Sequence, residues 1–139
     1  MDQDPFFRTL RAGGHRLTQA RMAVIAALRK ASAPLSAAEI LASCLAAGAR
    51  IDRATAYREL EFLASSGIAL PVRLEGRSLR YEISDRGHHH HAVCLKCENI
   101  QEVKADAALE AAETRVAKRV GFTVLRHAFE LFGLCKKCR

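Results

Sequence analysis

Four of the five cysteines form two Cys-x-x-Cys pairs, Cys94/Cys97 and Cys135/Cys138. Each pair offers two thiolates from one turn, and two such turns have the spacing of a tetrahedral Zn(Cys)4 site. In a reducing compartment they read as a metal site sooner than as disulfides. Lys96, Lys136 and Lys137 flank the pairs and would offset the surplus negative charge of four thiolates on Zn2+. Such a site ties the C-terminal tail back to an earlier strand and leaves no coordination position open, so this zinc is expected to be structural. Cys44 stands alone; it and His15 are expected to be packing or surface residues.

The second group is the internal run His88-His89-His90-His91. On a strand, alternate side chains point to opposite faces, so His88 and His90 share one face, His89 and His91 the other. Each face then carries two imidazoles, a bidentate start for a divalent ion. Glu82 and Glu102 are available to complete one face; His127 with Glu110 or Glu113 is available for the other. Imidazole with carboxylate suits Zn2+, Fe2+ or Mn2+. These ligands must be neutral imidazoles, so binding is expected to weaken below about pH 6.

The chain has 139 residues, half of them hydrophobic and 27% charged, a balance that excludes low-complexity disorder for most of it. No apolar stretch reaches the roughly 18 to 20 residues of a membrane span, and Met1–Leu10 has no apolar signal core, so a cytoplasmic protein is expected. Lys plus Arg number 22 against 15 Asp plus Glu, a formal charge of +7 that favours a polyanionic partner. Between Arg8 and Arg58 nine basic residues face only two acidic ones, Glu39 and Asp52. Aromatic residues make up 6% and tryptophan is absent, which disfavours stacking on single-stranded bases. A zinc hydrolase is the enzymatic alternative, but no HExxH pattern or nucleophile–base pairing is present. A metal-buffering protein with incidental basic charge is the other alternative.

Three helices are predicted to open the chain. One starts at Thr18 with Val24, Ile25 and Leu28 on a stripe. The second starts at the capping box Ser36/Glu39, and the third runs from Asp52 to Gly67. Val72/Leu74 and Leu79/Tyr81/Ile83 alternate around Glu75–Ser78 as a hairpin. The sum is an α+β chain: a winged helix-turn-helix over residues 1–84, then a small α/β dimerisation domain over 85–139, with the hinge at Ser84–Gly87. The second half is expected to hold a strand at His88–Cys94, another at Ile100–Val103, and a helix at Asp106–Val120 presenting Leu109, Val116 and Val120. A long strand at Phe122–Phe132 closes it. On the third helix Ala56, Leu60 and Leu63 share a face, while Ala54, Tyr57, Arg58 and Glu61 share the opposite one. That outer face suits the major groove: Ala54 permits close approach, Tyr57 meets thymine methyls or sugars, and Arg58 reaches guanine edges or phosphates. Arg73, Arg77 and Arg80 on the wing would add phosphate contacts.

Together these motifs resemble the ferric uptake regulator family of bacterial metal-dependent repressors, over about Thr9 to Cys138. The resemblance is carried by Arg16-Leu-Thr-Gln-Ala-Arg21, Ala54-Thr-Ala-Tyr-Arg58, His88–Cys97 and His127–Cys138. It implies a homodimer whose winged helices straddle an AT-rich palindrome in double-stranded DNA and repress metal-uptake or homeostasis genes. It implies DNA contacts by Tyr57 and Arg58, a minor-groove contact by Arg16, and structural zinc on the four paired cysteines. It also implies a regulatory site of Glu82, His89, His91 and Glu102, and a second of His88, His90, Glu110 and His127, taking Zn2+ or Fe2+, with Mn2+ a further option. Members often add a histidine before the second helix, where this chain has Pro34. Actinobacterial zinc sensors place a cysteine before the His run, where this chain has Ser84.

Overall fold

The computed structural model describes residues 4–125 and 127–139. The chain falls into two compact units, Met1–Asp85 and Arg86–Arg139. The first contains α1 (Pro5–Ala12), α2 (Gln19–Lys30), β1 (Leu35–Ser36), α3 (Ala37–Ala46), α4 (Arg53–Ser65), β2 (Ala69–Val72) and β3 (Arg80–Ile83). A 3-10 turn at Ser84–Arg86 follows.

Each anticipated helix begins at its expected cap. Thr18 accepts from Arg21 N, Asp52 accepts from Thr55 N, and Ser36 and Glu39 close a reciprocal capping box. The α2 and α4 stripes are buried as expected, Val24, Ile25 and Leu28 on one and Ala56, Leu60 and Leu63 on the other. Of the expected α3 residues Ile40, Leu41 and Leu45 only Ile40 is buried, Leu45 is exposed, and Cys44 packs inward beside Ile40. Ile68, Tyr81 and Ile83 join these buried residues, Ala56 excepted, in one core cluster. Cys44 is therefore a packing residue. The wing is a three-stranded antiparallel sheet of order β1-β3-β2, with Leu35 opposite Tyr81 and Pro71 opposite Tyr81 on the other side. β1 is two residues long, too short to show alternation, and the sequence shows only a two-stranded hairpin there.

Helix α1 also goes beyond the sequence expectation. Asp4 caps it by accepting from Phe6 N at 2.9 Å, Pro5 occupies the first turn, and Leu10 is buried. The Asp-Pro pair is the signal; a helix of eight residues is too short for its apolar period to stand out. Asp4 is ion-paired with Arg29 on α2, whose guanidinium also lies 3.6 Å from Asp85 and over the Phe6 ring. That guanidinium holds the Asp4 carboxyl below the usual aspartate value. A lowered folded-state pKa gives stability that is present above the unfolded value near 4 and lost as pH falls through the folded value. Asp4→Asn is therefore expected to lower the melting temperature at pH 7. As pH falls below the unfolded value near 4 its difference from the parent chain should shrink, as read by calorimetry across pH.

The second unit is a three-stranded sheet of order β5-β4-β6, from β4 (His89–Cys94), β5 (Ile100–Lys104) and β6 (Glu130–Gly133), with α5 (Ala107–Arg119) between the last two. β4 pairs antiparallel with β5 and parallel with β6. The expected strand over Phe122–Phe132 is shortened to β6. Only Glu130–Gly133 finds ladder partners, opposite His91–Cys94, and residues 122–125 and 127–129 are irregular. Arg126, within that expected strand, lies outside the described residues, as do Met1–Gln3 of the segment read for a signal core.

α5 spans its expected range with Asp106 as cap, yet buries no residue within the chain. Of its expected apolar face Leu109 is half-buried, while Val116 is 60% exposed and Val120 72%; Phe122, Leu125, Leu131 and Phe132 of the same unit are exposed too. Apolar surface on this scale, on a unit whose buried residues are few, marks a surface that a partner covers.

Candidate functional site

The C-terminal end of β4 brings Cys94 to the edge of a turn that carries Cys97, and β6 delivers Cys135 and Cys138 to the same place. One sulfur from each of Cys94, Cys97, Cys135 and Cys138 lies within 4.8 Å of the others, and Cys97 Sγ is 3.7 Å from Cys135 Sγ. A tetrahedron with Zn–S bonds of about 2.3 Å has edges of roughly 3.8 Å, so the spacing fits zinc. Protonation within the cluster is uneven. Backbone amides of Cys97 and Cys135 pull the Cys94 thiol down to about 6. Sulfur neighbours Cys135 and Cys97 push Cys138 up to about 12. Four thiolates cannot coexist there without a cation, and a divalent ion supplies that charge. Cys135 N also donates to Cys94 Sγ at 3.3 Å, a second-layer bond that orients a ligand sulfur.

The histidine alternation of β4 is realised. His88 and His90 rings lie 4.8 Å apart on one face, and His89 and His91 rings 5.0 Å apart on the other. On the first face His127 joins, 4.6 Å from His88 and 5.4 Å from His90 between centroids. The three offer ligand nitrogens within 4.8 Å of one another. Nε2 of His90 and Nε2 of His127 are buried without a hydrogen-bond partner. Two orphaned imidazole nitrogens converging in one place fit a cation better than any protein group present. Burial, then His88 and His127, lower the His90 pKa, which favours the neutral ligand form. Both helix carboxylates reach this face: Glu110 lies 3.3 Å from His88 Nε2 and Glu113 3.2 Å from His127 Nδ1. The choice between them, open from the sequence, thus resolves into one partner for each histidine. A cleft of about 490 Å³ between α5 and the His127 segment opens onto the group. Phe129, which spacing did not mark, closes on His90 edge-to-face at 5.4 Å.

On the second face, His91 stands opposite Glu102 in the β4–β5 register, and His89 Nδ1 lies 2.9 Å from Gly87 O. The Glu102 carboxylate is 3.4 Å from Arg86. Glu82 sits on β3 opposite Leu70. Pro34, at the place where members of the resembled family often carry a histidine, is buried and accepts from Arg80 at 2.9 Å through its carbonyl.

In the first unit, α4 turns Ala56, Leu60 and Leu63 inward and leaves Ala54, Tyr57, Arg58 and Glu61 exposed. Arg58 is steadied by Thr55 Oγ1 at 3.2 Å, and Arg53 lies over the Tyr57 ring. Arg16 and Arg73 are exposed and Arg77 is half-buried. Arg80 departs from the wing expectation. Its guanidinium is spent on Glu39, at 2.8 Å, and on the Pro34 carbonyl, so it braces the wing against α3.

The family model described as "Ferric uptake regulator family" matches residues 12–132. The ferric uptake regulation protein of Legionella pneumophila is 30% identical over 131 residues, 94% of this chain and 96% of its own length. That of Neisseria gonorrhoeae is 30% identical over 94% of this chain and 90% of its own. Among solved structures, the Helicobacter pylori ferric uptake regulator, described as having three functional metal-binding sites, superposes with a TM-score of 0.83 at 27% identity, covering 96% of this chain and 88% of that one. The Vibrio cholerae ferric uptake regulator superposes at 0.80 with 28% identity, over 92% and 98%.

Proposed function

This chain belongs to the ferric uptake regulator family, and from that premise we propose how its residues divide the work of a metal-dependent, DNA-binding repressor. The observation that carries the reading is the coexistence of two features within one chain. They are an exposed polar face on a capped, well-packed α4, and separate closed and open-faced ligand clusters in the second unit.

Arg16, Ala54, Tyr57, Arg58, Arg73 and Arg77 are the proposed DNA contacts, with α4 reading base edges and the arginines of arm and wing holding phosphates or the minor groove. Cys94, Cys97, Cys135 and Cys138 hold structural zinc. The family is one of regulators, so the alternative of a hydrolase built on the histidine cluster falls away. The proposed second ligand set is His88, His90, Glu110 and His127, with Glu113 orienting His127. The proposed regulatory set is Glu82, His89, His91 and Glu102, taking Zn2+ or Fe2+, with Mn2+ accommodated by the same donors. Regulatory ligands drawn from both units link ion binding to the arrangement of the units. The ion can favour the DNA-competent arrangement only through its differential affinity for it.

The chain works as a homodimer through the exposed apolar surface of its second unit. Its operator is an AT-rich palindrome controlling metal uptake or homeostasis genes, and it acts in the cytoplasm. No helix among the described residues is long and apolar enough to cross a membrane. Selection from randomised duplexes with metal-loaded protein tests this. Recovery of a palindromic AT-rich site is expected, whereas binding with no sequence preference would make the chain a metal buffer with basic charge.

A further inference from the structure

Arg21 belongs to the run of basic residues that the sequence presents to a polyanion, but it does not face solvent. Its side chain is 12% exposed and lies between α2 and α4. Nε donates to Glu59 Oε2 at 2.8 Å and a terminal nitrogen reaches Glu59 Oε1 at 3.4 Å. The other terminal nitrogen donates to the backbone carbonyl of Arg16 at 2.7 Å. The guanidinium plane also covers the Phe62 ring, 3.8 Å from its centroid. Arg16's neighbour His15 meets the same ring edge-to-face at 4.8 Å. Gly14, at φ +75°, makes the turn that brings this segment out of α1.

Glu59 and Phe62 are half-buried on the flank of α4, between its buried Leu60/Leu63 side and its exposed face, with Phe62 one turn beyond Arg58. The segment carrying Arg16 is thus fastened, through His15 directly and through Arg16 by way of Arg21, to the flank of the helix proposed to read the major groove. Only a planar, five-donor group satisfies a carboxylate, a carbonyl and a ring face at once. We propose that Arg21 is a positioning residue that fixes the Arg16 arm relative to α4, so that minor-groove and major-groove contacts are presented in one register. This rests on the DNA-binding reading above and adds a coupling that reading does not require.

The test is a double-mutant cycle for binding of the full, zinc-loaded chain to its selected duplex. The substitutions are Arg16→Ala and Arg21→Met, the latter keeping apolar bulk over Phe62. In the parent chain Arg16→Ala is expected to weaken binding about tenfold; in the Arg21→Met background it should cost less than about threefold. Arg21→Lys, with a point charge in place of the fork, should fall between. Glu59→Gln, which leaves the Arg16 carbonyl bond in place, gives the same diminished coupling if Arg21→Met folds poorly. Costs that add within about twofold overturn the brace and leave the DNA reading standing. A parent chain that does not prefer the selected duplex to a scrambled one overturns the DNA reading, and the brace with it.

Discussion

Cys94→Ser is expected to strip the chain of its tightly held zinc and to unfold the second unit while leaving the first intact. Metal bound to a site of this type is folding free energy, with apparent values of about 10–16 kcal/mol for structural zinc. Nothing else in the second unit is of that size. α5 buries no residue, and Val93, Cys94 and Ile100 are its buried apolar side chains among the described residues. Cys94 ends β4, lies directly opposite Gly133 of β6, and its sulfur accepts from Cys135 N. Losing it removes a ligand and a strand-end bond. The first unit has its own core of α2, α3 and α4, so its cooperative melting transition should persist. Elemental analysis after dialysis should find about one dialysis-resistant zinc per parent chain and none in the variant. Zinc retained by Cys94→Ser, with an unchanged melt, contradicts the structural assignment.

Arg58→Ala should weaken binding to the selected duplex by roughly 5- to 150-fold, the range of one good base contact at about 1–3 kcal/mol. Zinc content and thermal stability should not change, because the side chain is exposed and its one bond to Thr55 is local. If the loss is confined to particular base pairs, Arg58 reads bases. An equal loss on every duplex, with a shallower salt dependence, would make it a phosphate contact. Unaltered affinity would remove α4 from the DNA interface.

These expectations draw on features that differ in how plainly the sequence displays them. Local signals were readable: the Thr18, Ser36 and Asp52 caps, the α4 faces, the β4 alternation and both Cys-x-x-Cys turns depend on spacing within a few residues. Elements too short for periodicity were not, namely α1 and β1. Phe122–Phe132 shows the opposite failure. It is rich in Phe, Val and Leu, residues that suit a strand, but a strand needs a neighbour, and β4 provides one only for Glu130–Gly133. Side-chain pairing across the fold is equally invisible in spacing. Arg80 looked like a wing cation until Glu39 claimed it, and Arg21 like a surface charge until Glu59 and Phe62 did. Among the ligands, the histidine partition followed from pleat geometry alone, whereas the separate roles of Glu110 and Glu113 required the helix to be docked.

The measurement closest to the central claim is the affinity of the chain for its selected duplex at one fixed salt concentration. It compares protein holding only the cysteine-bound zinc with protein also loaded with Zn2+, Fe2+ or Mn2+. Coupling between ion and DNA of about 1–3 kcal/mol predicts a 5- to 150-fold tighter complex with the effective ion, and the same factor in ion affinity when the duplex is present. Identical affinity in both states, for every ion, would mean that the histidine and carboxylate ligands do not govern DNA binding.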